Sequence, residues 1–384
     1  MTGNTKPRLG LVKTTDSSLD GLQDLFNPPR LSKPEMHLLL KPFFVLDRQG
    51  ERFKPIEYVY SVVQDSKAIT RRWWVEPHSQ YGLPGPFDRD VTLAIYEIVN
   101  ENYFAKSLPV PQVMPIGSLR DFAARMGIDP NSGKNRTAIK DSLKRLKNTL
   151  VDSEETFFDN KKKSYVSVSF RLLAGVGFVR ESNGSGGKNE ENFVIFDQVI
   201  LSNLNSGYVS VIDLEAIQKL KTNIAKQLYT HLAYRFFVEA QDGDQCWVAD
   251  YDWLTIHLGI KPQIELWRAK EQLEAAHEEL KELGYISDYQ WDQWRVLYRP
   301  GLVWKGEQLR RQRGGCRQVA MPVESLKRHD SAVQHSEPHD PLIPALAAFA
   351  SGLSVGEERI KALGLTIEQA KILCTEKNIP LNNR

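Results

Sequence analysis

Apolar residues fall at strand spacing and then at helical spacing along the first third of the chain. Two β-rich runs, IEYVYSVV and AITRRWWVE, flank the polar tetrad QDSK at residues 64–67 and predict a β-hairpin. After a Gly/Pro-rich stretch, Asp88 has the residue type and position of a helix N-cap. The apolar residues that follow recur at helical spacing: Val91, Ile95, Ile98 and Val99. A helix that begins near Asp88 is therefore expected.

A helix-turn-helix pattern and a second hairpin come next. Ser118 and Asp121 stand at capping-box spacing and open a short helix, LRDFAARM. The turn GIDPNSGKN separates this helix from another, which runs from about Arg136 to Leu150. The segment EETFFDNKKKSYVSVSFRLL then has the pattern of two strands joined by a turn at Asn160. Helices followed by a hairpin in this order predict a winged helix whose wing is that hairpin.

The second half of the chain repeats the same order of elements without visible sequence identity. IAKQLYTHLAYRFF has the pattern of an amphipathic helix, DYDWLTIHLGI predicts a short helix ending at Gly259, and a long helix ends at Gly284. SDYQWDQWRVLYRP, with alternating aromatics, predicts a hairpin. The fold class expected is α+β, with two tandem winged-helix domains.

The predicted domain boundaries follow from these patterns. The expected segments are a flexible N-terminal tail (1–40), the first winged-helix domain (41–180), the second (192–304), a basic and polar linker (305–340) and a small helical tail (341–384). The Gly/Ser-rich stretch 180–192 predicts a mobile loop between the two domains. In the helical tail, Thr366 and Gln369 stand at capping-box spacing.

Composition places the chain among ordinary globular proteins. Its 384 residues are 41% hydrophobic and 26% charged, which is enough apolar material for more than one core. No apolar run reaches the roughly 20 residues that a membrane span needs, and the N-terminus lacks the apolar region of a secretory signal. Cys246, Cys316 and Cys374 are far apart, which indicates free thiols and a cytoplasmic location.

Net charge is +2, so any indication of nucleic-acid binding has to come from local patches. The segment 134–180 holds eleven Lys/Arg against five Asp/Glu. The helix predicted from about Arg136 to Leu150 has an apolar stripe (Ile139, Leu143, Leu146 and Leu150) beside a basic stripe (Arg136, Lys140, Lys144 and Lys147). A solvated lysine-rich surface is the alternative, but three adjacent lysines at the hairpin tip favour phosphate contact. The predicted DNA contacts of this domain are Lys134, Arg136, Lys140, Lys144, Arg145, Lys147, Lys161, Lys162 and Lys163.

The corresponding region of the second domain is acidic. Residues 262–292 hold three Lys/Arg against eight Asp/Glu, with the cations near the start of the long helix. Lys261, Gln263 and Arg268 are candidate DNA contacts, because recognition helices commonly read DNA with their N-terminal residues. Glu278, Glu279 and Glu282 are expected to face solvent or a partner. Arg310 and Arg311, in the run RRQRGGCR, either follow phosphates or belong to a basic linker.

The patterns that would indicate an enzyme are incomplete. GSGGKN resembles a phosphate-binding loop, but Asn189 follows the lysine and Ser182 stands where the first glycine should be. His329, His335 and His339 have no fixed metal-ligand spacing, and the chain lacks the His-hydrophobic-His strand of metal-dependent nicking nucleases. The expectation is a protein without catalytic residues, metal or cofactor.

The stretch RRWWVEPHSQYGLPGPFDRDV at 71–91 resembles the signature of the plasmid replication initiator protein A (RepA-type) family. The matching positions are Trp73, Pro77, His78, Tyr81, Gly82, Pro84, Gly85, Pro86 and Asp88. Two further segments are similar to the family, SGKNRTAIKDSLKRLKNT and LNSGYVSVIDLEAIQKLKTNIAKQLYTHLAYRFF, and the resemblance spans about 45–300. Trp73 and Trp74 should lie on opposite faces of their strand, and His78 and Tyr81 should hydrogen-bond within the turn.

The resemblance implies a function that the residues alone do not give. It implies binding of double-stranded DNA at directly repeated origin sites, opening of an A·T-rich segment and recruitment of host replication proteins, namely the host initiator and the replicative helicase. It also implies a balance between monomer and homodimer, with the dimer repressing its own gene. The alternative is a winged-helix transcription regulator without a replication role, and a third class is a winged-helix protein that binds partners and no DNA.

Overall fold

The computed structural model of the chain describes residues 30–46, 51–64, 67–182, 188–241, 246–313, 360–361 and 366–376. The strands are β1 (Leu31–Ser32), β2 (Ile56–Gln64), β3 (Lys67–Glu76), β4 (Val113–Gly117), β5 (Leu150–Asp159), β6 (Ser164–Phe170), β7 (Leu173–Ser182), β8 (Lys188–Phe196), β9 (Ile212–Asp213), β10 (Trp247–Asp250), β11 (Ile286–Asp292) and β12 (Arg295–Pro300). The α-helices are α1 (His37–Leu40), α2 (Pro86–Asn102), α3 (Leu119–Arg125), α4 (Gly133–Asn148), α5 (Gln198–Asn205), α6 (Leu214–Lys219), α7 (Asn223–Gln241), α8 (Tyr251–Leu258), α9 (Leu266–Glu282), α10 (Leu302–Arg313) and α11 (Ile367–Glu376). The predictions for residues 1–29, Cys316 and His329 to His339 lie outside this part of the chain.

The first unit is a winged helix with an extra hairpin. Its elements run α2–β4–α3–α4–β7–β8, and β4 pairs with β8, which pairs with β7. The wing is therefore β7–β8, and the prediction that the hairpin after α4 is the wing is wrong. That hairpin, β5–β6, instead extends β2–β3 into a four-stranded sheet of order β2-β3-β5-β6. The local pattern specifies a hairpin, but the sheet that it joins depends on distant residues.

The domain boundaries move with the wing. Because β8 pairs with β4 and β7, the first unit extends to Phe196, beyond the predicted limit of 180 and into the predicted second domain. Residues 30–40 are also part of the fold, contrary to the predicted tail boundary, because β1 pairs with β9 and Met36 is fully buried. At the other end, α10 occupies the start of the predicted linker, and Glu307 accepts a hydrogen bond from Tyr229 at 3.0 Å.

The second unit repeats the winged-helix order with its own sheet. Its elements run α7–β10–α8–α9–β11–β12, and the three helices and the final hairpin follow in the predicted order. Strand β10, which the sequence interpretation did not include, pairs with β12 and gives the strand order β10-β12-β11. Gly259 ends α8 with φ +62°, in the left-handed region that favours glycine. In the C-terminal segment, the predicted capping box of α11 is confirmed, since Thr366 N–H donates to Gln369 Oε1 at 2.9 Å and Gln369 N–H donates to Thr366 Oγ1 at 3.2 Å.

The two units share a buried boundary. Leu39 on α1 and Leu93 on α2 pack into the apolar core of the second unit. Arg89 on α2 donates to the carbonyl of Asn223 at 3.1 Å. Lys41 is buried and its Nζ donates to Tyr60 Oη at 2.8 Å. Burial, with the nearby Arg71 and Arg235, lowers the pKa of Lys41 well below its usual range. Contacts of this kind limit independent movement of the units.

Candidate nucleic-acid interface

The stretch 77–88 forms a compact turn between β3 and α2. Gly82 N–H donates to the carbonyl of His78 at 2.7 Å, and Gln80 N–H donates to His78 Nδ1 at 3.1 Å. The rings of His78 and Tyr81 lie 5.1 Å apart. As predicted, Trp73 and Trp74 lie on opposite faces of β3. Trp73 is the one in the core, where its Nε1–H donates to Pro42 O at 2.9 Å. These residues shape the turn, and their side chains serve the fold.

Asp88 has a more specific role in this turn than N-capping. Helix α2 begins at Pro86, so Asp88 lies in its first turn and the predicted N-cap assignment is wrong; the cap position belongs to Gly85. The Asp88 carboxylate is 1% exposed and accepts the N–H of Gly85 at 2.6 Å. It also pairs with Arg145 Nη1 at 2.5 Å and lies 3.6 Å from Arg52. The carboxylate thus joins the turn to α4, the helix that carries Arg145.

Arg145 is an anchor of α4, which corrects its prediction as a DNA contact. Besides its pair with Asp88, its Nε donates to the carbonyl of Tyr81 at 2.9 Å, and 17% of its side chain is exposed. At 100° per residue it lies on the flank of α4 that faces the 77–88 turn. A guanidinium committed to a buried carboxylate and a carbonyl is directed away from the surface that a duplex could reach.

Helix α4 itself starts and packs as its sequence dictates. Ser132 is the N-cap and accepts the N–H of Asn135 at 3.3 Å, so the helix begins at Gly133, three residues before the predicted start. Its buried positions are Ile139, Ser142, Leu143 and Leu146. Three of them belong to the predicted apolar stripe, which packs against α2, α3 and β7. The fourth predicted member, Leu150, lies outside the helix, which ends at Asn148, and is the first residue of β5.

The outward face of α4 is basic. Lys144 and Asp141 lie opposite the buried stripe, with 43% of the Lys144 side chain exposed and 4.0 Å between Nζ and the carboxylate. Lys134, the second residue of α4, is exposed on the same side. Lys140 lies on the flank next to the wing, with its Nζ 5.3 Å from the ring centre of Phe178 on β7. The half-buried Arg136 and Lys147 share that flank, so the basic surface continues from the helix to the base of the wing.

The lysines at the β5–β6 tip lie elsewhere. Ten residues of β5, about 30 Å of extended chain, separate them from the end of α4. Lys162 Nζ lies 3.4 Å from the Asp159 carboxylate, and Lys163 Nζ donates to Asn160 Oδ1 at 2.8 Å. Asn160 is buried and donates to the carbonyl of Ser206 at 2.7 Å. Phosphate binding by Lys161, Lys162 and Lys163 stays a prediction, but they do not belong to the surface formed by α4 and the wing.

In the second unit, DNA contact by Lys261, Gln263 and Arg268 stays a prediction. The backbone of the first two is engaged before α9, since the Lys261 carbonyl accepts from Gln272 Nε2 at 3.0 Å and Gln263 N–H donates to Tyr251 Oη at 3.0 Å. Arg268 pairs with Glu265 at 2.8 Å on the surface. Arg310 and Arg311 lie in α10, and their side chains are outside the described part of the structure.

Two features of α9 were absent from the sequence interpretation. Ile264 and Trp267 are each 58% exposed at its N-terminal end. Along the same outward face stand four exposed glutamates: Glu271, Glu274, Glu278 and Glu282. The spacing of 3, 4 and 4 among these glutamates, with Trp267 four residues before the first, carries this signal in the sequence.

The core side of α9 holds a buried, neutral histidine. His277 Nε2 lies 2.8 Å from Tyr298 Oη, and burial lowers the pKa of His277 to about 3. On the outer side, Tyr289 Oη on the second wing donates to Glu274 at 3.1 Å and to Glu278 at 2.9 Å. Partial burial and these carboxylates raise the pKa of Tyr289 well above its usual range. His277 therefore holds α9 against its sheet. On the outer side, Glu274 and Glu278 accept hydrogen bonds from Tyr289.

No helix within the described residues is long and apolar enough to cross a membrane. No protein-family model matches the chain, and no curated protein matches it. Among solved structures, a selenomethionine derivative of domains 2 and 3 of RctB is similar, with 14% identity and a TM-score of 0.41, covering 67% of this chain and 94% of that one. A second structure of RctB domains 2-3 has 12% identity and a TM-score of 0.39, covering 71% of this chain and 99% of that one.

Proposed function

We propose that the chain is a plasmid replication initiator that binds repeated duplex sites at an origin through α4 of its first unit. The observation that carries the proposal is the basic outward face of α4, held in place by the buried pair of Arg145 with Asp88. Asp88 belongs to the signature shared with the RepA-type initiators, and so does the turn around it. In this proposal the signature positions the reading helix and does not itself touch DNA.

The chemistry of the α4 surface suits a phosphate backbone. Lys134, Lys140 and Lys144 are opposed on that face by Asp141 alone among the residues of α4, and Lys140 extends the surface toward the wing. Lysines that neutralise phosphates release counterions, which gives sequence-independent affinity and a steep dependence on salt. Thr137, on the same outward face, offers a hydroxyl and a methyl group toward base edges.

The finer parts of the function rest on the family resemblance. They are opening of an A·T-rich segment, recruitment of the host initiator and the replicative helicase, and repression of its own gene by a homodimer, all in the cytoplasm where plasmid DNA is found. The runner-up function, a transcription regulator, uses the same α4 surface and differs in its consequence for replication.

The experiment compares two double charge reversals of equal size. Lys140→Glu with Lys144→Glu alters the α4 face, and Lys161→Glu with Lys162→Glu alters the β5–β6 tip. Binding to a duplex from the DNA that flanks the gene is measured by fluorescence anisotropy at several salt concentrations. We expect a loss of at least 100-fold and a salt slope smaller by about 2 for the α4 variant, with a much smaller effect for the tip variant.

A circular-dichroism melt establishes that both variants are folded. Wild-type affinity in the α4 variant would refute the placement of the interface, and an equal loss in both variants would show a diffuse basic surface. A replicon that depends on this gene then separates the two functions. The α4 variant should fail to maintain it, whereas replication of the replicon after deletion of the gene would support the transcription regulator.

A further inference from the structure

Helix α9 of the second unit occupies the place that α4 has in the first, but the residues on its outward face are of different types. Its buried positions are Ala269, Leu273, Ala276, His277 and Leu280. Trp267 lies opposite them and is exposed, and the exposed Ile264 lies two residues before the helix begins, so the two form an apolar end. Glu271, Glu274, Glu278 and Glu282 continue the same line to the C-terminal end of the helix. One face of α9 therefore combines an apolar end with a row of carboxylates about 17 Å long.

This face is poorly suited to a duplex. When a winged helix binds DNA, the helix that corresponds to α9 lies in the major groove. Its outward face is then within a Debye length, about 8 Å, of the phosphates. Four glutamates would then face phosphates. The neighbouring cations are engaged within the protein. Arg268 pairs with Glu265 at 2.8 Å and Lys281 lies 3.8 Å from Asp288. Lys270 Nζ lies 5.9 Å from the ring centre of Trp291. Bringing this face to DNA would add repulsion where α4 gains attraction.

The apolar end indicates a protein partner. Tryptophan is enriched among the residues that dominate binding energy at protein interfaces, and Trp267 follows the exposed Ile264 by three residues. The Arg268 guanidinium lies 5.0 Å from the Trp267 ring centre, and Trp267 is 58% exposed beside it. Glu279, by contrast, lies off this line and accepts the N–H groups of Lys221 and Thr222 at 2.6 and 3.0 Å, so its role is within the fold.

We propose that the outward face of α9 binds an amphipathic helix of another protein, with apolar residues on Ile264 and Trp267 and Lys or Arg along the glutamates. Charge complementarity selects a basic partner, and the apolar end sets its register. The helical part of the face, from Trp267 to Glu282, spans about 23 Å, and a partner helix of 18 residues, about 27 Å long, can cover it together with Ile264. This contact is independent of DNA binding by α4, and it gives the second unit a role different from that of the first.

The test uses the full chain and a synthetic 18-residue Leu/Lys/Ala peptide, helical, with leucines at one end of its face and lysines along the rest. An isomer with the same composition in scrambled order and a Glu-for-Lys version are the peptide controls. Trp267→Ala and the pair Glu271→Lys with Glu282→Lys remove the two parts of the face and spare the acceptors of Tyr289. The matched control is Glu76→Lys with Glu191→Lys, two exposed glutamates of the first unit.

We expect each α9 variant to weaken binding of the amphipathic peptide at least tenfold by anisotropy, with the matched control close to wild type. Equal binding of the scrambled isomer, or an unchanged affinity in Trp267→Ala, would overturn the proposal. So would a duplex affinity that falls in Trp267→Ala and rises in the Glu-to-Lys pair, because that result identifies a DNA-reading face.

Two further outcomes distinguish a separate partner from a segment of the same chain, and the α9 face from the α4 face. Peptide binding that requires prior reversal of Arg317, Lys327 and Arg328 to Glu would mean that the chain's own basic segment covers the face, and would overturn the proposal of a separate partner. The variant with Lys140→Glu and Lys144→Glu should bind the peptide like wild type. Loss of peptide binding in that variant would contradict the independence of the two faces, whereas loss of duplex binding alone leaves the α9 proposal supported.

Discussion

Replacing Arg145 by Ala should destabilise the first unit far more than replacing its neighbour Lys144. The substitution leaves the Asp88 carboxylate, 1% exposed, with the Gly85 N–H at 2.6 Å and the more distant Arg52 at 3.6 Å. Removing one member of a buried ion pair costs about 3–5 kcal/mol, because the remaining charge stays desolvated. Since Arg52 offers a second cation, we expect the lower end of that range, about 3 kcal/mol.

Two comparisons isolate the cause. Lys144→Ala removes an exposed contact of 4.0 Å with Asp141 and should cost less than about 0.5 kcal/mol. Asp88→Asn keeps an oxygen that accepts the Gly85 N–H. The guanidinium groups of Arg145 and Arg52 lose their carboxylate but are partly exposed to water, so the expected loss of stability is about 1–2 kcal/mol. The double variant of Arg145→Ala with Asp88→Asn should cost less than the sum of the single changes, because both remove the same interaction.

The assay is urea unfolding of the chain with Trp247, Trp253, Trp267, Trp291, Trp294 and Trp304 each replaced by Phe in every variant, so that tryptophan fluorescence comes from Trp73 and Trp74 of β3 in the first unit. Comparison of midpoints is valid where the denaturant slope is unchanged among the variants. An Arg145→Ala midpoint within error of that of Lys144→Ala would refute the reasoning. So would an additive double variant, since the pair would then carry no coupling. For DNA binding, Arg145→Ala should leave the salt slope of the folded protein unchanged, whereas Lys144→Ala should reduce it by about 1.

Two more predictions concern the second unit. Burial lowers the pKa of His277 to about 3, below its usual 6.5, so the unfolded chain takes up this proton first and stability falls as the pH drops below 6.5, by about 1.4 kcal/mol per pH unit for this group. His277→Gln should flatten that loss in melts between pH 6.5 and 5, and an unchanged slope would contradict the assignment. Gly259→Ala places a Cβ 2.3 Å from the Phe44 carbonyl at φ +62° and should cost more than about 3 kcal/mol, whereas Gly207→Ala, at φ +76° in open space, should cost about 1–2 kcal/mol. Equal losses in the two glycine variants would show that backbone strain, and not the close approach, sets the cost.

The sequence predicts local elements well and their long-range partners poorly. The hairpin at β2–β3, the N-cap at Ser118, the capping box at Thr366 and the glycine at the end of α8 all depend on neighbouring residues, and the structure has each of them. The wing differs, because two hairpins follow α4 and the pattern does not state which of them pairs with β4. Gly177 of β7 is an indication of the β7–β8 pairing alone, because a Cβ at this position would lie 2.1 Å from the ring of Phe193, its partner on β8.

The candidate site shows the same limit at the level of single side chains. Arg145 reads as one of several cations in a basic helix, and its composition and spacing do not separate it from Lys144. Their positions differ by 100° around the helix axis, and that rotation places Arg145 against Asp88 and Lys144 toward solvent. Which flank of a helix meets the rest of the protein is set by tertiary packing, so the distinction between anchor and contact required the fold.

The near-neutral charge of the whole chain conceals a division of charge between two copies of one architecture. In the first unit the outward face of α4 carries lysines, and Asp141 is the one carboxylate of that helix. In the second unit the corresponding face carries four glutamates and an exposed tryptophan. Since like charges on both faces would favour a single extended DNA surface, the opposite signs argue that the two winged helices bind different classes of molecule. An initiator that holds DNA with one unit and a basic protein helix with the other would bring the two together at the origin, and the paired charge reversals on α4 and α9 test each half separately.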